Sequence, residues 1–134
     1  MYWIILVIFS YLLGSVTFSF VVGKLVKGID IRKHGSGNAG ATNTLRVLGK
    51  GPAISVLLLD IAKGILAVLA AQSLFSEEPW VSMLCGVAVI IGHNWPIFFG
   101  FRGGKGIATT IGVFATLAFI PSLISGVISI LAIV

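Results

Sequence analysis

The chain has 134 residues, of which 57% are hydrophobic and only 10% are charged, and its formal net charge is +5. A soluble domain of this length needs a far more charged surface, so the composition excludes an ordinary soluble protein and indicates that lipid surrounds most of the molecule. The single cysteine, Cys85, excludes a disulfide within the chain, and the sequence has no zinc or iron–sulfur ligand set. We therefore predict no metal and no cofactor.

The chain contains four apolar runs, at residues 2–22, 52–74, 80–99 and 107–134. Each is close to or longer than the roughly 20 residues that a helix needs to cross a bilayer. The first run lacks the basic start and the small-residue cleavage site of a signal peptide, so we expect it to be retained. The sequence predicts an all-α, polytopic membrane protein, with four transmembrane helices in a single domain joined by Gly-rich loops. Pro121 is expected to kink or divide the last helix.

Basic residues lie almost entirely in two segments, 24–51 and 100–106. Six of the nine Lys and Arg residues lie in the first segment and two in the second, whereas the loop between the second and third runs carries only Glu77 and Glu78. Cytoplasmic loops of membrane proteins carry an excess of Lys and Arg. We therefore predict that both segments face the cytoplasm and that the N-terminus lies outside.

The chain ends at Val134 within its last apolar run, and no charged residue follows Lys105. A transmembrane helix is normally anchored by polar or aromatic residues at both membrane interfaces. We therefore expect residues 1–134 to be an integral-membrane domain that is incomplete at its C-terminus.

The first basic segment contains a stretch, His34–Arg46, that is dense in glycine, hydroxyl and amide residues. Glycines let backbone N–H groups approach a ligand closely, and a helix that starts after them points further N–H groups outward. Residues Gly35–Gly40 match the G-x-G-x-x-G pattern of dinucleotide-binding folds, but no strand is predicted before them, and Asp60, where such folds place an acidic residue, lies in an apolar run. We interpret the stretch as a phosphate site, the alternative being a flexible linker. Its candidate phosphate ligands are Gly35, Ser36, Gly37, Asn38, Gly40, Thr42, Asn43 and Arg46.

The second basic segment has glycines on both sides of Lys105, as a Walker A loop does. Gly106 stands where that loop requires Ser or Thr, and Phe99 stands where it requires the first Gly, so a P-loop is excluded. A lysine between glycines at the start of a helix still favours a phosphate site, which this segment can share with the first because both lie on one membrane face. The alternative for Arg102 and Lys105 is a role in topology and contact with lipid headgroups. The candidate phosphate ligands here are Arg102, Gly103, Gly104 and Lys105.

Three further polar residues lie within or at the end of apolar runs. His93 lies near the cytoplasmic end of the third run, where it is a candidate general base or hydrogen-bond donor, or alternatively a capping or core histidine. Asp60 and Lys63 lie three residues apart on one helix face of the second run. Because ionisable residues are costly in a membrane, we interpret them as a mutual ion pair.

These residues resemble those of a known family, the bacterial PlsY family of membrane acyltransferases, which transfer a fatty acyl group from acyl phosphate to the 1-hydroxyl of glycerol 3-phosphate. The resemblance implies lysophosphatidate and phosphate as products, the first step of bacterial phospholipid synthesis, a bacterial plasma-membrane location among membrane lipids, and no nucleic-acid partner. By matched position it implies that Ser36, Gly37, Asn38, Thr42 and Arg46 line the phosphate pocket and that Lys105 joins them. The matching segments span essentially the whole chain: Tyr11–Ser15, Gly28–Arg32, His34–Asn38, Gly40–Asn43, Arg46, Asp60, Lys63, Gly92, His93 and Arg102–Gly106.

The chain departs from the family pattern in two ways. Thr17 stands where the family usually has Pro, a change that we expect to alter only a helix bend. Family members are also longer, and a third cytoplasmic motif with His and Asn lies beyond this chain, so we expect the chain alone to be inactive. The H-x-x-x-x-D motif of another large acyltransferase family is absent from the sequence.

An acyl phosphate is already activated, so the resemblance implies direct transfer without an acyl-enzyme. Ser36, Arg46 and Lys105 are the candidate catalytic residues, and the base is either the donor's own phosphate or His93. The main alternative is a transporter segment for an organic anion, which would place polar residues at the middle of several spans, whereas only Asp60 and Lys63 do so here. A structural lipid-binding protein would leave the amides and hydroxyls of the first loop without a purpose.

Overall fold

The computed structural model describes the backbone of residues 1–133 and the side chains of all of these except 120–123, 125 and 133. The described backbone is helical and contains no β-strand, which confirms the all-α prediction. Two short 3₁₀ turns, Ile31–Lys33 and Ile97–Phe99, lie in the two loops. The α-helices are α1 (Trp3–Gly14), α2 (Phe18–Lys27), α3 (Ala41–Leu48), α4 (Lys50–Leu74), α5 (Pro79–Asn94), α6 (Ile107–Leu117) and α7 (Phe119–Ile133).

Among the residues that the structure describes, three helical stretches are long and apolar enough to cross a membrane, namely Trp3–Lys27, Lys50–Leu74 and Pro79–Phe99. They overlap the first three apolar runs of the sequence. The fourth run is divided, because α6 ends after 11 residues and α7 begins after a break at Ala118. The break lies just before Pro121, whose side chain lies outside the described residues. Pro121 falls in the first turn of α7, where a helix tolerates a proline.

The first apolar stretch is also interrupted, between the end of α1 and the start of α2. Thr17 has an extended backbone, with φ −90° and ψ 92°, so the break occurs where the resemblance led us to expect Pro. A helix end leaves backbone carbonyls without helical partners. Lys63 of α4 satisfies two of them, since its Nζ donates to the carbonyls of Gly14 and Val16 at 2.9 Å each. Lys63 therefore links α4 to the end of α1 and to the break that follows it.

Small residues allow the helices to pack closely. A Cβ added to Gly64 of α4 would overlap the backbone carbonyl of Thr109 in α6, and one added to Gly14 of α1 would overlap that of Val89 in α5. Close approach of backbones at small residues is the main source of helix association in lipid, where burial of apolar surface gives little. The resulting bundle of α1, α4, α5 and α6 places the two Gly-rich loops at one end.

Candidate active site

A cavity of about 280 Å³ lies between the two Gly-rich loops. Both segments interpreted as phosphate sites therefore reach one cavity, together with a side of α4 and the end of α5. The lining residues are Ser36, Asn38, Gly40, Ala41, Thr42, Asn43, Arg46, Leu57, Asp60, His93, Lys105, Gly106, Ile107, Ala108 and Ile111.

Two helix N-termini point at this cavity. The helix α3 begins after Gly40 and α6 begins after Gly106, and in neither does a side chain cap the first turn. The first-turn residues of both helices line the cavity. Uncapped N–H groups and the positive end of the helix dipole together favour an anion. The backbone alone therefore makes this cavity suited to a phosphate.

Two cationic side chains at the cavity also favour an anion. Arg46 projects from α3 and Lys105 from the second loop, and both are exposed at the cavity. Neither makes a hydrogen bond or ion pair with any residue in the part of the chain that the structure describes. The hydroxyl of Ser36 is exposed and accepts only a long contact, 3.5 Å, from the backbone N–H of Asn38. The two cations and this hydroxyl are thus available to a ligand.

Asn43 lines the cavity, but its side-chain amide is bonded within the first loop. Its side chain is 1% exposed, and its Nδ2 donates to the carbonyls of Ile31 and His34 at 3.2 and 3.0 Å. Its Oδ1 accepts from the backbone N–H of Ser36 at 2.9 Å. All of the amide's main hydrogen-bonding groups are therefore engaged within the loop. Asn43 thus shapes the loop that presents Ser36, and its role as a phosphate ligand stays a prediction.

Two glycines allow the first loop to adopt this shape. Gly35 has φ +58°, in the left-handed region, and a Cβ there would overlap Oδ1 of Asn43. Gly37 also has positive φ, at +74°, and its N–H donates to the carbonyl of His34 at 3.0 Å. Neither glycine lines the cavity, whereas Gly40 does. Gly35 and Gly37 therefore allow a tight turn behind the cavity, and the N–H of Gly37 is not free for a ligand.

The second loop is hydrogen-bonded to the end of α5. The N–H groups of Gly103 and Gly104 donate to the carbonyls of Asn94 and His93, both at 3.2 Å. A Cβ on Gly104 would overlap Nε2 of His93 and would lie 2.6 Å from the carbonyl oxygen of Ala39. Gly103 and Gly104 do not line the cavity; their size lets the two loops meet and sets the position of Lys105.

Arg102 lies away from the cavity. It lines a neighbouring one, together with Phe20, Lys33 and Phe99. The chain turns between Arg102 and Lys105, so the two cations line different cavities, and the phosphate-binding role of Arg102 stays a prediction.

Arg32 joins the two loops near Arg102. It forms an ion pair with Asp30 at 2.9 Å, and its Nη1 donates to the carbonyl of Phe99 at 2.6 Å. The hydrogen bond from the Arg32 side chain is the main cause that lowers the pKa of Asp30 from its usual 3.8 to about 2, and Asp30 in turn raises the pKa of Arg32. The stabilisation from a lowered carboxyl pKa is fully present above about pH 4 and is lost as the pH falls through about 2. The connection between the loops is therefore fully charged at physiological pH.

Sequence reasoning missed that Asp60 lines the cavity. Its Oδ1 lies 3.0 Å from Nζ of Lys63, which confirms the predicted ion pair, and 3.4 Å from Nδ1 of His93. The side chains of Asp60 and Lys63 are 2% and 1% exposed. The sequence did contain a signal for this position, namely a carboxylate one helical turn after Leu57 in an otherwise apolar run. Ionisable residues within a membrane span indicate function by default.

Comparison with known proteins identifies the family. The profile of a family described as glycerol-3-phosphate acyltransferase matches residues 4–134. The chain belongs to this family. It is 64% identical over 129 residues to the glycerol-3-phosphate acyltransferase of Shouchella clausii and 60% identical over 131 residues to that of Halalkalibacterium halodurans. These matches cover 96% and 97% of this chain but 63% and 64% of the relatives, so the chain spans somewhat less than two thirds of their length.

Two crystal structures of PlsY, an integral membrane glycerol 3-phosphate acyltransferase, have the same fold. The glycerol 3-phosphate form superposes with a TM-score of 0.87 and the lysophosphatidic acid form with 0.84, both at 46% sequence identity. The matched regions cover 95% of this chain and 63% and 62% of the PlsY chains. The chain is therefore an all-helical member of an integral membrane family, in agreement with the composition.

Proposed function

We propose that this chain forms the larger part of an enzyme that transfers a fatty acyl group from acyl phosphate to the 1-hydroxyl of glycerol 3-phosphate. The products are lysophosphatidate and phosphate, the first step of bacterial phospholipid synthesis. Family membership supports glycerol 3-phosphate as the acceptor. The observation that carries the proposal is the cavity in which two uncapped helix N-termini meet Arg46 and Lys105. Both proposed substrates present a phosphate to such a site.

The other side of the cavity suits the acyl chain of the donor. It is lined by Leu57 of α4 and by Ile107 and Ile111 of α6. These side chains are 39%, 65% and 52% exposed, so an apolar surface continues from the cavity to the outside of the bundle. In a membrane this surface faces lipid, from which a long-chain acyl phosphate can enter sideways.

The proposed chemistry is a single displacement. The acceptor's hydroxyl oxygen attacks the carbonyl carbon, the bond from that carbon to the phosphate oxygen breaks, and the hydroxyl proton passes to a phosphate oxygen of the donor. The protein positions two anions, reduces their repulsion and stabilises the departing phosphate. We assign the proton to the donor's phosphate rather than to His93, whose 4%-exposed side chain is packed between Asp60 and Gly104.

The choice of donor tests the function. The full-length protein in detergent or lipid discs, given glycerol 3-phosphate and radiolabelled acyl phosphate, is expected to form labelled lysophosphatidate. Acyl-CoA and acyl carrier protein of the same chain length are expected to give little product, because in the proposed reaction the cavity holds a phosphate leaving group. Efficient turnover with a thioester and none with acyl phosphate would contradict the proposal.

Direct transfer has a separate test on Ser36. We expect this hydroxyl to donate to a phosphate oxygen and never to carry the acyl group, since no described side chain that could act as its base lies within hydrogen-bonding distance. Protein incubated with labelled acyl phosphate alone and then denatured should carry no label. A stoichiometric ester at Ser36 would replace the single displacement with a two-step mechanism.

We further propose that the cavity faces the cytoplasm of a bacterial cell, with the N-terminus outside. Single cysteines placed at Lys33 or Lys50 of a Cys85→Ser protein should resist a membrane-impermeant thiol reagent in intact cells and react after permeabilisation. Glu77→Cys, in the opposite loop, provides the matched control and should react in intact cells. Labelling of position 33 or 50 from outside would reverse the topology.

A further inference from the structure

Lys63 is among the most deeply buried side chains described, and its ammonium is fully paired. It lies 3.0 Å from Oδ1 of Asp60 and donates to the carbonyls of Gly14 and Val16 at 2.9 Å each. Three oxygens thus surround a group that has three donors. The ring of Phe18 covers it further, with its centroid 5.5 Å from Nζ. A charge buried to this extent is stable only when it is paired and hydrogen-bonded in this way.

The carbonyls that Lys63 binds belong to the end of α1 and to the break that follows it, and this part of the chain also contacts residues 95–97, just before the second loop. Ser15 accepts a hydrogen bond from the backbone N–H of Ile97 at 3.3 Å, and the hydroxyl of Tyr11 donates to the carbonyl of Trp95 at 2.9 Å. Lys63 therefore holds a segment that adjoins the chain leading to Lys105.

Asp60 has an electrostatic effect on the cavity that opposes the effect of the cations and helix N-termini around it. It lines the cavity in which the N-termini of α3 and α6, Arg46 and Lys105 favour anions. A carboxylate there repels a phosphate unless its own charge is balanced, and repulsion is strong where water is excluded. Lys63 lies behind Asp60 and is not among the residues that line the cavity. Its position lets it balance the carboxylate without competing for the substrate.

We propose that Lys63 is a positioning residue of the acyl-transfer site with two effects. It holds the break in the first apolar stretch against α4, and it cancels the charge that Asp60 presents to the substrate phosphates. The proposal rests on the proposed function for its kinetic readout, but its effect on phosphate binding and on thermal stability is independent of acyl transfer.

The two effects separate in a pair of variants of the full-length protein. Lys63→Met keeps the length of the side chain and leaves the Asp60 charge unbalanced, so KM for glycerol 3-phosphate and Kd for inorganic phosphate are expected to rise about tenfold or more. In Asp60→Asn/Lys63→Met both charges are absent, so Kd for inorganic phosphate should return to within about threefold of wild type, whereas kcat should stay below wild type because the break is still not held against α4. The thermal midpoint should stay low in the double variant, because the carbonyls of Gly14 and Val16 still lack their donor. If Lys63 had only a structural role, Kd for inorganic phosphate would not differ between the single and the double variant.

Lys24→Met is the matched control, because it removes one cation from an exposed position on α2 and should leave KM and Kd within about twofold of wild type. Should Lys63→Met fail to fold, the double variant is compared directly with wild type, and a folded protein with near-normal Kd supports the proposal. A double variant that binds phosphate as poorly as Lys63→Met, or a Lys63→Met protein with wild-type Kd whatever its thermal midpoint, would overturn it. If wild-type protein binds phosphate but does not transfer acyl groups, the proposed function fails while the phosphate titrations still decide the role of Lys63.

Discussion

Replacing either Arg46 or Lys105 by Ala in the full-length protein is expected to lower kcat/KM for acyl transfer by about two to three orders of magnitude. Each side chain lines the cavity and has no hydrogen-bond or ion-pair partner among the described residues, so its charge is available to a substrate phosphate. Removing one partner of a desolvated charged pair costs roughly 2–5 kcal/mol. Steady-state assays with acyl phosphate and glycerol 3-phosphate measure the loss.

Both variants should remain folded, since neither charge contributes a described contact within the chain, and an unchanged thermal midpoint checks this. Lys24→Ala is the matched control for the loss of one positive charge and should retain most of the activity. Arg46→Lys should fall between wild type and Arg46→Ala, because lysine keeps the charge but loses the planar, two-pronged contact with phosphate. Near wild-type activity in both alanine variants would show that the phosphates bind elsewhere.

Replacing Gly104 by Ala is expected to have the second large effect, a loss of activity of about a hundredfold or more. The added Cβ would overlap Nε2 of His93 and approach the backbone oxygen of Ala39 to 2.6 Å. Because a backbone carbonyl cannot rotate away as a flexible side chain can, the two loops must separate, and Lys105 moves with the second loop. A displacement of about 1 Å in a positioning group is enough to cost two orders of magnitude in rate.

Gly51→Ala is the matched control for this substitution. Gly51 lies in the first turn of α4, and a Cβ there meets nothing within 4 Å. This variant should keep its activity and gain slightly in stability, as alanine favours a helix over glycine. If Gly104→Ala were as active as Gly51→Ala, the close contact of the loops would not matter for catalysis.

Gly104 and Asn43 show what the amino-acid composition of a loop leaves undecided. Both residues were predicted to bind phosphate because glycines and amides are typical of phosphate loops. Whether their polar groups face a ligand or the protein depends on which backbone groups lie next to them. Asn43 finds the carbonyls of Ile31 and His34, and Gly104 finds that of His93. Composition within a loop cannot distinguish a ligand from a residue that shapes the loop.

Local properties of the chain were sufficient to predict the class of structure and the two loops that line the cavity. The apolar runs are long enough to predict membrane helices, and the fold is all-helical in a family of integral membrane proteins. The ion pair of Asp60 and Lys63 also followed from sequence, because residues three apart lie on one helix face and two opposite charges in a span favour each other. These inferences depend on spacing along one helix, which the sequence contains directly.

Contacts between distant parts of the chain required the tertiary structure. The packing of α4 against the break after α1 brings Lys63 to the carbonyls of Gly14 and Val16, and it turns Asp60 towards the cavity. The turn of the second loop sends Arg102 to one cavity and Lys105 to another. Such partners lie tens of residues apart and are selected by how closely helices approach, which depends on the shape of every packed surface at once. The sequence therefore determined the membrane class and the two loops that line the cavity, whereas only helix packing decided which of their polar groups face that cavity.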